Sequence, residues 1–149
     1  MTATLIVLVG LPGAGKSTFY RTRFAATHEH VSKDALRGAA RPERQQQRLV
    51  DAALERGQSV VVDNTNATVA ARAPLIASAR ARGAAVVGCY FDASVAECRK
   101  RNRQRQGTAR VPDVAIYACA KRLAPPSYAE GFDALFRVGL HGDAAVSQV

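Results

Sequence analysis

The segment GLPGAGKST, Gly10 to Thr18, constrains this chain more than any other. It follows the apolar run Leu5–Val9 and fits G-x-x-x-x-G-K-[ST], with Gly10, Gly15, Lys16 and Ser17 at the fixed places. The pattern works only between a strand and a helix, so it sets how the chain begins to fold. A string of phosphate oxyanions needs many N–H donors at close range. Gly10, Gly13 and Gly15 remove side chains that would block that approach and allow positive φ. The loop amides then form a nest, and a helix opening near Lys16 adds its free first-turn N–H groups. Lys16 would reach the β- and γ-phosphates of ATP, and the Ser17 hydroxyl would ligate Mg²⁺. The expected nucleotide contacts are therefore Gly13, Ala14, Gly15, Lys16, Ser17 and Thr18, with Thr18 mainly supporting the helix. A plain strand–turn–helix junction would leave the Lys-Ser pair unexplained.

Apolar runs alternate with helical patterns along the rest of the chain. Strands are expected at Leu5–Val9, near Val31, at Ser59–Val62, at Ala85–Phe91 and at Ala134–Val138. Helices are expected from Lys16 to about His28 and over Arg41–Gly57, the latter with Leu49, Val50, Ala53 and Leu54 on one side. A third covers Asn66–Arg82, capped by Asn66, with a kink or second start at Pro74. Ser94 caps a fourth reaching about Arg105, and Pro112 opens a fifth to about Leu123. Strands that are apolar throughout and separated by helices predict a parallel sheet covered on both faces. The fold class is α/β, with about five strands. Residues 1–138 read as one domain with a lid around 99–112, and 139–149 as a frayed tail.

Ligands of such sheets bind at the carboxyl ends of the strands. That rule groups the glycine loop with two other segments. In SKDALR, Ser32 to Arg37, Asp34 and Arg37 share a face of a helical turn. Asp34 there can take the proton of an attacking hydroxyl, and Arg37 can hold an acceptor phosphate. The same pair also reads as a helix cap with an exposed ion pair. In VVVDNTNAT, Asp63, Asn64, Thr65 and Asn66 close an all-valine strand. Asp63 can hold Mg²⁺-bound water, and Asn64 to Asn66 can bond an acceptor or position Asp34. A polar turn with an N-cap is the alternative.

The segment CRKRNRQRQGTARVP, Cys98 to Pro112, is dense in arginine. Arg101 and Arg105 stand one helical turn apart. An arginine swung over a transferring phosphoryl group offsets its spreading charge. Gly107 and Thr108 supply a pivot. A solvated basic helix would carry the same residues.

The net charge of +9 comes mainly from arginine, with lysines only at 16, 33, 100 and 121. Such a surface concentrates polyanions, although arginine and alanine enrichment also follows from GC-rich codons. Cys89, Cys98 and Cys119 show no C-x-x-C spacing and are expected as reduced thiols of a cytoplasmic protein. Neither a signal peptide nor a membrane span is expected.

Taken in order, GLPGAGKST, SKDALR, VVVDNTN, KRNRQRQGTARVP and APPSYAEGF (Ala124–Phe132) resemble the kinase domains of phage and animal 5′-OH polynucleotide kinases. These are P-loop phosphotransferases that move the ATP γ-phosphate to 5′-OH ends of DNA or RNA. The resemblance implies a P-loop kinase fold with an arginine-rich lid, ATP and Mg²⁺ as cofactors, and nucleic acid ends as partners. It implies Lys16 and Ser17 on the phosphates and metal, and Asp34 as the base. Arg37 would sit on the phosphate beside the acceptor nucleoside, Arg105 would be the lid arginine, with Arg101 one turn before it, and Asp63 would support them. Between Arg105 and Gly107 the lid has one more residue than the phage pattern, so Arg103 is a second candidate for the role of Arg105. The phosphatase and ligase domains often fused to those kinases are not expected within this sequence, and a separate phosphatase or ligase is an expected partner. The alternatives are a small-molecule P-loop kinase for a nucleoside, gluconate, antibiotic or sugar nucleotide, and a nucleotide-binding module without acceptor chemistry.

Overall fold

A computed structural model of the chain describes residues 3–139 and 146–149. Every second residue of the first strand, β1 (Thr4–Gly10), belongs to a different core. Leu5, Val7 and Val9 face one layer, while Ile6 and Leu8 face the other. Period-two alternation of buried residues on a strand requires cover on both sides. One cover is built from α2 (Pro42–Glu55) and α3 (Val69–Ala81), through Val50, Ala53, Leu75, Ile76 and Ala79. The other comes from α1 (Lys16–Arg23), α4 (Val95–Arg103) and α5 (Asp113–Arg122), through Phe19, Cys98, Ile116 and Cys119.

The remaining strands are β2 (Glu29–Val31), β3 (Val60–Asp63), β4 (Ala85–Phe91), β5 (Ala134–Val138) and β6 (Val146–Gln148). Their spatial order is β2-β3-β1-β4-β5-β6. The first five run parallel, and β6 is antiparallel to β5. The sheet thus has the five expected strands plus one more. Residues 140–145 of the supposed frayed tail lie outside the described residues. From residue 146 the chain returns to pair with β5, with Ser147 opposite Arg137. β1 sits between β3 and β4, so its carboxyl end opens where the chain order reverses, the usual ligand position in open α/β sheets.

Several local expectations are corrected. Helix α1 ends at Arg23, five residues before His28, and Phe24 already lies outside helical geometry. Leu49 is 39% exposed and does not join Val50, Ala53 and Leu54; the fully buried stripe of α2 instead includes Gln46. Asn66 does not cap α3. Its φ is +44°, and its amide donates to the carbonyls of Leu8 (2.7 Å) and Val62 (3.3 Å). Thr68 is the cap, accepting from the Ala71 N–H at 3.0 Å. Pro74 sits inside one unbroken helix. The fourth helix ends at Arg103, because Gln104 and Arg105 bond back to Arg101 and Asn102 in a tighter turn.

Arg72 is fully buried, at 0% exposure. Glu130, in the APPSYAEGF segment, grips it twice, at 2.8 and 3.0 Å, and Arg72 also donates to the Asn66 carbonyl at 2.8 Å. The Ala124 N–H reaches the Ala67 carbonyl at 2.7 Å. The C-terminal motif therefore holds the end of β3 from behind. Glu130→Gln would leave the buried guanidinium without its countercharge, at a cost of about 3–5 kcal/mol. For a chain of this size the expected fall in Tm by calorimetry is roughly 10 °C.

Candidate active site

The loop after β1 wraps into the expected nest. Gly13 (φ +85°) and Gly15 (φ +95°) occupy left-handed backbone. Each is also pressed by α4. A Cβ on Gly13 would lie 2.6 Å from the Cys98 carbonyl oxygen, and one on Gly15 would lie 3.3 Å from the Arg101 guanidinium. The arginine-rich helix thus rests directly on the phosphate loop, with Arg101 over Gly15.

Lys16 opens α1 and is buried. Its ammonium donates to the carbonyls of Gly10 (2.9 Å) and Leu11 (2.7 Å). Burial lowers its pKa from 10.5 to about 8; Asp63 opposes the shift and Arg105 adds to it. A bound polyphosphate favours the charged form, so binding above pH 8 must take up a proton. ADP affinity should therefore weaken as pH rises past about 8, by up to tenfold per unit. Calorimetry in two buffers of different ionisation heat at pH 8.5 would register the proton uptake. On folding, the unfolded chain keeps this proton up to about 10.5, so the burial cost present below pH 8 is relieved between the two values.

Asp63 ends β3 in the buried class. One oxygen accepts from the Ser17 hydroxyl at 2.7 Å and from His30 Nε2 at 2.9 Å. Burial alone would raise this carboxyl; the hydrogen bonds from His30 and Ser17 and the charge of Lys16 outweigh it and hold the pKa below the ordinary value. The His30 ring packs on Tyr20, with centroids 4.3 Å apart. Sequence reasoning missed His30, the middle residue of a three-residue edge strand with no motif across it. Ser17 and Asp63 present hard oxygens beside the phosphate nest, a donor set suited to Mg²⁺. Among the described residues no three His, Cys, Asp or Glu side chains converge on one point. A metal carried mainly by substrate phosphates and water needs no such cage.

Asn64 links the Ser32–Arg37 segment to the end of β3. Its carbonyl accepts the Lys33 N–H at 2.8 Å, and its amide donates to Gln46. The backbone just before Asp34 is thereby fixed to the end of β3. Thr65 lends its carbonyl to the Gly10 N–H at 3.0 Å, tying the same turn to the phosphate loop. Asp34 opens a single 3-10 turn, with its side chain 91% exposed and 3.6 Å from Arg37.

A cavity of about 800 Å³ brings most of these groups together. Lys16, Ser17, Asp34, Asp63, Asn64 and Arg105 line it, as do Gly13, Thr65 and Asn66. Arg37, Arg101, Ala14, Gly15 and Thr18 are not on its wall. Thr18 faces solvent and accepts from Arg21 at 3.2 Å. The Arg105 guanidinium bonds the Ala109 carbonyl at 3.2 Å inside the lid loop. Arg103 is exposed on the outer side of α4 and bonds back to the Arg99 carbonyl. The buried Asn102 fastens the loop after α4: its side chain accepts from the Val111 N–H (3.0 Å) and donates to the Val111 carbonyl (2.6 Å).

The three cysteines are buried, and none is in a disulfide. Among the described residues no helix is long and apolar enough to cross a membrane.

Known proteins share this fold. A relative in Acanthamoeba polyphaga mimivirus, whose name carries polynucleotide phosphatase and kinase activities, is 28% identical over 95% of this chain and 34% of its own. A bifunctional polynucleotide phosphatase/kinase of Schizosaccharomyces pombe is 28% identical over 86% of this chain and 31% of its own. The chain thus spans about a third of the length of the curated relatives it matches. Among solved structures, a fungal RNA kinase superposes with a TM-score of 0.73 at 20% identity, over 96% of this chain and 77% of that one. The architecture is a P-loop kinase fold, and structures of this fold hold ADP-AlF3 or AMPPNP. The AAA domain model matches residues 5–126, which hold the phosphate nest, the β3 acid and the lid. By that match the chain belongs to the AAA domain family.

Proposed function

We propose that the chain is a polynucleotide 5′-hydroxyl kinase that transfers the ATP γ-phosphate to 5′-OH ends. One observation carries the reading: an exposed carboxylate, Asp34, shares a single cavity with the nucleotide-end groups Lys16, Ser17, Asp63 and Arg105. A nucleotide-binding module has no need of an acid across from its phosphate loop. The two relatives named for polynucleotide kinase activity support the choice of acceptor.

Each side chain then has a task. Lys16 leaves the Gly10 and Leu11 carbonyls for the β- and γ-phosphates. Ser17 would hold Mg²⁺, and Asp63 its water; when bound, the ion neutralises charge on the phosphates. Asp34 accepts the hydroxyl proton as the 5′ oxygen bonds to phosphorus and the bond from phosphorus to the β–γ bridging oxygen breaks, releasing ADP. Arg105 lies over the transferring group, and Arg101 braces the loop beneath it. Asn64 acts through the Lys33 backbone as a positioning residue for Asp34.

The test is transfer from radiolabelled ATP to matched 5′-OH DNA, 5′-OH RNA and a nucleoside 3′-phosphate. Label on either oligonucleotide, with acceptor KM rising steeply with salt, is the expected result. Label only on small metabolites such as gluconate, with an acceptor KM that changes little with salt, would replace this reading by a small-molecule kinase. Hydrolysis without any acceptor would leave a nucleotide-binding module.

A further inference from the structure

The cavity does not end at the reacting groups. It continues into the cleft between α2 and α3, where Arg44 and Gln47 form one wall and the surface of α3 the other, the two joined where Gln47 Nε2 donates to the Pro74 carbonyl at 3.4 Å. That surface is made of Ala70, Ala71 and Pro74, all exposed and all small or flat. From Thr68 to Pro74 it runs roughly 9 Å at the helical rise of 1.5 Å per residue. Arg122, from the last turn of α5, also lines the cavity.

Charge in the cleft is one-sided. The carboxylate of Glu43 is matched by Lys33, 3.4 Å away. Arg44 and Arg122 have no side-chain hydrogen bond or ion pair among the described residues. Some arginines elsewhere on the surface are held by acids, Arg56 by Glu29, Arg82 by Glu55 and Arg137 by Asp92, while Arg41, Arg48 and Arg110 have no such partner among the described residues either; Arg44 and Arg122 differ from those three in lining the cavity. Arg37, the cation that the motifs favour for an acceptor phosphate, is turned onto Asp34 and lies off the cavity wall. Two unengaged guanidinium groups at an apolar ledge match a ligand with flat apolar faces and regularly spaced anions. Guanidinium binds phosphate oxygens with paired donors, and the ledge accepts any base because it offers no hydrogen-bond code.

We propose that the α2–α3 cleft is the track of the acceptor strand beyond its reacting end, with a base over Ala70, Ala71 and Pro74 and the following phosphates on Arg44 and Arg122. This assignment rests on the kinase reading above and extends it to how a single strand is held. Acceptor affinity then grows with the first few nucleotides and is insensitive to their sequence.

The experiment is fluorescence anisotropy with 5′-OH, 3′-fluorescein single strands of two and six nucleotides, in the presence of AMPPNP. The proteins are wild type, Arg44→Ala, Arg122→Ala and Ala71→Asp, all altered at exposed positions. The expected result is a Kd for the hexamer about tenfold weaker in each variant, with nucleotide affinity and Tm unchanged. The slope of log K against log salt should also fall by about 0.7 for each arginine removed, as for a single-strand phosphate contact. Wild-type affinity and slope in both arginine variants would overturn the track. Failure of the wild type to bind the hexamer would overturn it too. Groove binding that the variants weaken, without any label transfer to the same strand, would sustain the track and defeat the kinase reading.

Discussion

Asp34→Ala is expected to slow phosphoryl transfer to a 5′-OH oligonucleotide by about 10²–10⁴-fold, the range in which positioned general bases act. The side chain is 91% exposed and, among the described residues, its one ion pair is with Arg37, so Tm should not move and ADP should bind as before. Asp34→Asn keeps the shape and removes the proton acceptor, and should be nearly as slow. Asn64→Ala should give a different signature. It releases the Lys33 N–H and strips Gln46 of its partner, so the acceptor segment loosens while the carboxylate survives. Steady-state kinetics would show acceptor KM rising along with a smaller fall in kcat. Full activity in Asp34→Ala would remove the base from the mechanism.

Arg105→Ala is expected to cost about 10³-fold or more in kcat, the lower end of what an arginine over a transferring phosphoryl group supplies. Arg103→Ala should stay within about twofold. The contrast follows from placement: Arg105 lines the cavity, and Arg103 lies on the outer side of the helix, bonded to its own turn. Arg105→Lys should recover only part of the loss, because an ammonium lacks the planar fork that spans two phosphoryl oxygens. Single-turnover rates at saturating ATP would separate these effects from binding. Equal losses in the two alanine variants would mean that the lid closes in a different rotational register.

The sheet and its ligand-binding edge were legible because the signals were redundant. A valine run, a glycine loop and an alternation of strand and helix all pointed to one topology. The grouping of Lys16, Asp34 and Asp63 followed from strand ends alone, whereas Arg105 was reached only through the charge density of its own segment. Polar residues with structural work inside the protein were harder to see. Gln46 and Arg72 fall on the buried stripes of their helices, so helical spacing held the clue, but their chemistry argues for solvent. Asn66 read as a cap because asparagine before a helix usually is one; a positive φ and two strand-end carbonyls claimed it instead. The pairing of β6 depends on tertiary contact with β5, which no local pattern encodes. Arg44 and Arg122 are unremarkable in sequence, and only the folded cleft brings them to one wall system.

Asn102 ties the chain at two points of one residue, Val111, and so turns residues 103–110 into a hoop with a knotted neck. A hoop fastened in this way can gain or lose a bead without shifting its mouth. Gln106, between Arg105 and Gly107, lies in that rim, where a residue can be added or lost while the anchor stays in place. Length variation in that rim should therefore be well tolerated, and exchange of the anchoring asparagine should not.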